Sequence, residues 1–370
     1  MRIARWGSAA VLAALALSAC SGARESTDPD PSTGASSTDS AVPTAASPAL
    51  SARAAPSAEP AALAWAELDA PGPAAREDHT WTVAPGGLAY LFGGRDVGTV
   101  HGDLWAYDLA ADAWSEVDAG AGPPARFGHE AVWVDEVGLV IFAGQAGATF
   151  FNDLWAFDPA TTSWRQLRST GDVPVPRYGT CAAVGPDGRL WISHGFTSDG
   201  ARFADTRAYD FGAGTWSDET PSGTLPIERC LHGCWWTDAD ELVLYGGQTT
   251  GVTALGDRWI LAPDGGWTRA DPTGPQARNL AALVRLDGAT LVFGGQGSDQ
   301  GFLADAWLLA DGASDAAPIE PVAGGRAPGG RSGATLISDA ERDRVLLFGG
   351  RDAGGAFDDT WQLEGLAPAG

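Results

Sequence analysis

Short apolar runs recur along this chain, each closed by a glycine pair or its remnant. The closures are Gly93-Gly94, Ala143-Gly144, His194-Gly195, Gly246-Gly247, Gly294-Gly295 and Gly349-Gly350. The second unit shows what surrounds such a run. Phe127 to Val134 alternates loosely and predicts a first strand, and Asp135-Glu136 is a turn. Gly138 to Phe142 is almost continuously apolar, as expected of a strand covered on both faces. A loop of about ten residues follows Gly144. Leu154-Trp155-Ala156-Phe157 then predicts a third strand, Asp158 to Thr162 a hairpin loop, and Trp164-Arg165-Gln166-Leu167 a fourth. Turn signals stand at matching sites elsewhere, in Pro85-Gly86-Gly87, Pro186-Asp187-Gly188, Asp287-Gly288 and Pro263-Asp264-Gly265. Each unit therefore reads as a four-stranded antiparallel meander.

Two polar markers fix the register of the repeat. An arginine opens each unit (Arg76, Arg126, Arg177, Arg229, Arg278, Arg331), and an aspartate follows 27 or 28 residues later (Asp103, Asp153, Asp205, Asp257, Asp305, Asp359). Six units at a period of about 50 residues predict a propeller or a related array. Fourth-strand tryptophans stand at Trp114, Trp164, Trp216 and Trp267, and in the fifth unit Ile319 is expected in that place. The sixth unit ends after Trp361 without a fourth strand, whereas Trp65-Ala66-Glu67-Leu68 supplies one at the other end. An N-terminal strand completing the last blade would leave no sheet edge unfilled. The predicted fold is all-β, a six-bladed propeller over residues 61–370.

The order arginine, strand, Gly-Gly, loop, Asp-x-Trp-x-Tyr-Asp, turn, tryptophan is similar to the kelch repeat. The resemblance covers residues 65 to about 364 and is most specific in Gly93-Gly94 with Asp103-Leu104-Trp105-Ala106-Tyr107-Asp108 and Trp114, and in Asp153 to Asp158 with Trp164. The third unit departs at His194 and Arg207, and the fourth lacks the tyrosine–aspartate pair. The resemblance implies a kelch-type β-propeller like the central domain of galactose oxidase. It also implies that arginines opening the repeat can grip acidic segments of a partner.

Charge and composition narrow the function. The formal net charge is −24, and all 23 basic residues are arginine. Such a surface repels nucleic acid, and a chain without lysine has no Schiff-base lysine or P-loop lysine. Arg2 and Arg5 precede an apolar run from Ala9 to Leu17, which reads as a signal peptide over residues 1–20. Leu17-Ser18-Ala19-Cys20 resembles the bacterial lipobox, which implies a lipid on Cys20 and anchoring to the cell membrane or the outer membrane. Residues 21–60, rich in Ala, Ser, Pro and Thr, read as a disordered tether with a reach of roughly 35 Å. Cys181, Cys230 and Cys234 remain; Cys230 and Cys234 would lie about 13 Å apart along one extended strand, too far to bridge, so Cys181 with either is the pairing open to them.

Candidate chemistry follows the repeat. Arg76, Arg126 and their equivalents could ring a channel mouth and bind a carboxylate or phosphate. Alternatively, the fixed offset of the aspartates makes each arginine half of a repeated structural pair. His79, His129 and His232 lie three residues after an opening arginine and read as structural hydrogen-bonding residues, with no metal or other cofactor expected. Arg95, Gln145, Gln248, Gln296 and Arg351 follow the glycine pairs and begin the long variable loops, where recognition is commonly encoded on a rigid scaffold. Glu130 and Arg126 beside His129 could serve acid–base chemistry of the kind a sugar mutarotase needs. The leading expectation is an envelope-anchored, non-catalytic monomeric module that binds a protein or a polysaccharide. The alternative is a sugar-active enzyme, mutarotase-like or galactose-oxidase-like.

Overall fold

The computed structural model describes residues 63–366, apart from 252, 264, 313–314 and 321–324. The expected signal peptide, Cys20 and the tether lie outside the described residues. Residues 63–366 form six antiparallel sheets arranged as blades. The innermost strands are Thr80–Ala84, Glu130–Val134, Cys181–Val184, Gly233–Trp236, Ala282–Leu286 and Thr335–Asp339. The second strands are the apolar runs of the sequence, and they are the most deeply buried; every residue of Gly138–Phe142 and Arg344–Phe348 is buried. The third blade gains a short outer strand, Thr170–Gly171, parallel to Thr215–Asp218.

The sixth blade closes the ring. Ala64–Leu68 pairs antiparallel with Thr360–Glu364, setting Trp65 opposite Leu363. Trp65 is buried against Phe293 of the fifth blade, with ring centroids 5.3 Å apart. Arg344 fastens the same blade to the first, through Asp112 Oδ1 at 2.7 Å and the Leu109 carbonyl at 2.7 Å.

Two details differ from the sequence reading, and a third settles an alternative that it left open. The innermost strand of the second blade starts at Glu130, not Phe127, because Gly128 takes a left-handed conformation with φ 56°. Ile319 does not replace the fourth-strand tryptophan. Trp114, Trp164, Trp216 and Trp267 face Tyr107, Phe157, Tyr209 and Leu261, and the residue facing the equivalent Leu309 is Ala316; Ile319 pairs with Ala306 instead. The third cysteine question resolves to a disulfide between Cys181 and Cys234, which joins the innermost strands of blades three and four, and Cys230 is a buried free thiol.

The opening arginines explain the repeat. Each guanidinium donates twice to its own blade's aspartate, Nη1 to Oδ1 at 2.6–2.8 Å and Nη2 to Oδ2 at 2.8–3.0 Å. Nη1 also reaches the carbonyl of the first residue of the glycine pair, as Arg76 does to Gly93 at 2.9 Å, and Nε reaches the carbonyl two residues back, as to Ala74 at 2.9 Å. The tryptophan two residues after the aspartate donates to Oδ2 (Trp105, Trp155, Trp259, Trp307, Trp361), and Arg207 Nε does so in the third blade. A buried cation persists only when its charge and donors are met in this way.

The second glycine of each pair ties one blade to the next. Its N–H donates to the carbonyl of the following blade's arginine at 2.8–2.9 Å, from Gly94 to Arg126 and so on round to Gly350 to Arg76. At Gly94, with φ 94°, a Cβ would lie 2.9 Å from the Glu77 carbonyl oxygen, so no side chain fits. The first position tolerates replacement at a cost in strain: Ala143 and His194 hold φ of 63° and 58°.

Candidate functional site

The channel has a near mouth, where the arginines and the variable loops lie, and a far mouth formed by the six turns between first and second strands. Two residues after each arginine, the chain takes a left-handed turn at Asp78, Gly128, Gly179, Leu231, Leu280 and Gly333, with φ between 50° and 65°. These six residues form a closed belt of backbone hydrogen bonds, each N–H donating to the preceding blade's carbonyl at 2.8–3.2 Å. Three belt glycines make room for neighbours. A Cβ on Gly128 would lie 1.8 Å from Tyr178, one on Gly179 would lie 2.7 Å from Leu231, and one on Gly333 would lie 2.7 Å from Asp78 Oδ1. Tyr178 thus crosses Gly128 and donates to Asp78 Oδ2 at 3.0 Å, linking blade three to blade one.

One residue after each arginine, Glu77, Phe127, Tyr178, Cys230, Asn279 and Ser332 form a buried ring around this mouth. Each is bridged to the residue after its own blade's glycine pair, namely Arg95, Gln145, Phe196, Gln248, Gln296 and Arg351. The structure therefore gathers all five proposed loop residues around a single mouth. Their roles there differ. Arg95 lies across Phe127 at 4.2 Å and pairs with Asp78 Oδ2 at 3.0 Å and with Glu77 Oε1 at 3.2 Å. Arg351 approaches the same Glu77 oxygen at 3.6 Å and is 41% exposed. Gln145 donates to its own loop, to Gly147, at 2.7 Å, Gln296 to Gln300 at 3.3 Å, and Gln248 is buried over Cys230.

Arg76 and Arg126 do not share this mouth as ligand groups. They are 1% and 0% exposed and their guanidiniums are spent on Asp103, Asp153 and backbone carbonyls, so of the two readings the sequence allowed, the structural pair holds. The aspartates stay ionised: burial alone would raise Asp103 and Asp153, but the arginine and tryptophan hydrogen bonds outweigh it and hold both below the usual range.

The histidines turn into the seams between blades. His129 Nε2 lies 2.9 Å from Thr80 Oγ1, His79 packs edge-on to Phe348 at 5.4 Å, and His232 packs against His194 at 5.5 Å. Burial, reinforced by Arg76, pushes His79 down to about 3, and burial holds His129 and His232 well below the ordinary histidine range. Glu77 moves the other way. Burial and the adjacent Asp78 push it up to about 7, against the pull of Arg95 and Arg351. Repeat spacing alone could not single out Glu77 and Asp78, since no other unit carries an acid at either place. Arg202 also lies at this mouth, bridged to Phe196 and donating to Thr250 at 3.4 Å.

Residues 58–247, just over half of the chain, match the family described as the KLHDC2/KLHL20/DRC7 Kelch-repeats domain. An F-box/kelch-repeat protein of Arabidopsis thaliana is 27% identical over 247 residues, or 59% of this chain, and the aligned stretch spans 51% of that relative's length. With its six buried arginines each paired to an aspartate, its glycine-tied seams and a last blade completed by the N-terminal strand, the chain belongs to the kelch-repeat family of β-propellers.

Proposed function

We propose that this kelch propeller is a protein-docking module that binds an acidic segment of its partner at the near mouth, through Arg95 and Arg351. Protein interaction is the general business of kelch propellers. The observation that carries the finer reading is the placement of Arg95 and Arg351 together at Glu77, with Arg202 on the same face, in a chain whose net charge is −24. Arg95 and Arg351 already share one carboxylate, Glu77, so the geometry for holding a second is in place. Arginine suits that role because its planar fork meets a carboxylate with two parallel hydrogen bonds. Gln145 and Gln296, half-buried beside them, offer amides to a partner's backbone. Lipidation of Cys20 would hold the propeller at a bacterial cell envelope, with residues 21–60 as the tether.

Capture of partners from solubilised envelopes tests this reading. Cells are cross-linked with photo-reactive or carboxylate-reactive reagents, because amine-reactive ones would find no lysine in this chain. A stoichiometric protein partner should be recovered with the wild type and lost with the Arg95→Ala, Arg351→Ala double variant. Recovery of a polysaccharide instead, or of the same partner with both arginines removed, contradicts the proposal.

A further inference from the structure

Beyond the belt, the channel holds a cavity of about 300 Å³, lined among others by Thr80, Thr82, Glu130, Ala182, Leu283 and Thr335. That is the lower limit of ordinary ligand pockets, the size of a small molecule and not of a folded segment. Its lining also includes Trp81, His79, His129, His232 and the belt residue Asp78, whose carboxylate is already held by Tyr178 and Arg95, so among the described residues Glu130 is the lining carboxyl without a partner. Along each seam, the fourth residue after an opening arginine faces the fifth of the next blade. Cys181 meets Cys234 this way, and the ideal Cβ of Gly233 would lie 2.6 Å from Leu283. By the same register Glu130 faces Ala182, a side chain with nothing to donate.

The Glu130 carboxyl makes no ion pair and no hydrogen bond among the described residues. The nearby histidines are neutral and turned into the seams, and the opening arginines are spent on their aspartates. A half-buried carboxyl facing a cavity without a counter-charge is costly to keep and is therefore a functional-site candidate. The far mouth points to the same sign of ligand. Asp135, Glu136, Asp240, Asp287, Glu341 and Asp343 stand exposed on the turns that rim it, and none of them forms an ion pair with a basic residue among those described. Arg189 and Arg342 stand on the same turns but are paired with Asp187, Glu219 and Asp339, so the unpaired charge at this mouth is negative and concentrates cations.

We propose that the channel binds a small organic ammonium ion that enters by the acidic far mouth and pairs with the Glu130 carboxylate. The threonine hydroxyls of Thr80 and Thr82 accept from its remaining N–H groups. One carboxylate among hydroxyls suits an ammonium ion, whereas a divalent cation needs several oxygen ligands. The site is separate from the near mouth, lying on the opposite side of the belt.

The test uses the purified full chain at low salt, titrated calorimetrically with n-butylammonium and with 1,4-diaminobutane at pH 8. Both should bind the wild type and bind Glu130→Gln at least about tenfold more weakly, with the variant's melting temperature no lower than the wild type's. Binding to the wild type should also fade as the pH falls from 8 to 5. Burial pushes Glu130 up to about 8, so its proton must leave when the cation binds. Of the other titratable residues that line the cavity, His79, His129 and His232 turn their rings into the seams and stay neutral over that interval, and Asp78 is held at the belt by Tyr178 and Arg95. Absence of heat with both amines, equal affinity for Glu130→Gln, or affinity unchanged between pH 8 and 5 would overturn the assignment.

Discussion

Tyr178 reaches across the second blade to donate to Asp78 Oδ2 at 3.0 Å, and the space it crosses is the one that a side chain on Gly128 would fill. Glycine at position 128 thus serves two needs, a left-handed backbone and room for a ring. Gly147 separates them, because its φ of 57° matches the 56° of Gly128 while its Cβ direction is open. Gly147→Ala should cost about 1 kcal/mol, the conformational penalty alone. Gly128→Ala should cost at least about 2 kcal/mol more, since Tyr178 must be displaced and its hydrogen bond lost. Urea unfolding of the two variants checks this; equal losses would mean that Tyr178 moves aside freely.

Ring closure rests on a strand that is first in the sequence. Trp65→Ala should destabilise the propeller by about 3–5 kcal/mol, the usual cost of emptying a buried tryptophan site. Deletion of residues 61–70 should lower the melting temperature sharply and deletion of 21–58 hardly at all. Equal melting temperatures for the two truncations would refute closure by this strand.

The Cys181–Cys234 disulfide encloses 53 residues of chain separation and fastens blades three and four. On the chain-entropy account, a loop of this length is worth about 4 kcal/mol. Cys181→Ser with Cys234→Ser, or unfolding under reductant, should show a loss of that order. An unchanged unfolding midpoint in urea would mean that the seam holds without it.

The buried arginine–aspartate pairs set the acid limit of the fold. Asp103, Asp153, Asp205, Asp257 and Asp305 titrate below their ordinary value because arginine hydrogen bonds overcome the effect of burial. A depressed carboxylate contributes stability that is present above the unfolded value, near 3.9, and is lost as the pH falls through the folded one. Cooperative acid unfolding is therefore expected below about pH 4, followed by tryptophan fluorescence. Arg126→Met should shift it to higher pH, because Asp153 is left without its cation; no shift would mean that the pair contributes nothing to the acid limit.

Glu77 carries the opposite sign. A carboxyl raised to about 7 is most favourable to folding when protonated, so its contribution declines as the pH rises from about 4.5 through 7. Its ionised form also competes with a partner's carboxylate for Arg95 and Arg351. Partner affinity should therefore rise as the pH falls from 8 to 6, and Glu77→Gln should bind with little pH dependence over that range. Affinity that rises with pH in the wild type would contradict this competition.

The architecture was legible in the sequence because a repeat imposes its geometry six times. The arginine, the glycine pair and the aspartate each meet a backbone demand at a fixed place in the blade, so their spacing reports the fold directly. Trp65 announced ring closure for the same reason. Ile319 was misassigned because the fifth blade carries Ala316 at the tryptophan site, and an alanine gives no signal of its register. The near mouth was half legible: position after the glycine pair found Arg95 and Arg351 but not the acids they hold. Glu77 and Asp78 depart from the repeat, and departures acquire meaning only when the fold shows what faces them. Glu130 became informative only once Ala182 stood opposite it.

Site-resolved photo-cross-linking tests the docking account most directly. A photo-reactive amino acid is placed in cells at Gln296, on the near mouth, and separately at Glu136, on the far rim. The account predicts that Gln296 gives a discrete protein adduct, which disappears when Arg95 and Arg351 are changed to alanine, and that Glu136 gives none. The same adduct from Glu136, or from Gln296 in the absence of both arginines, would place the partner elsewhere and contradict it.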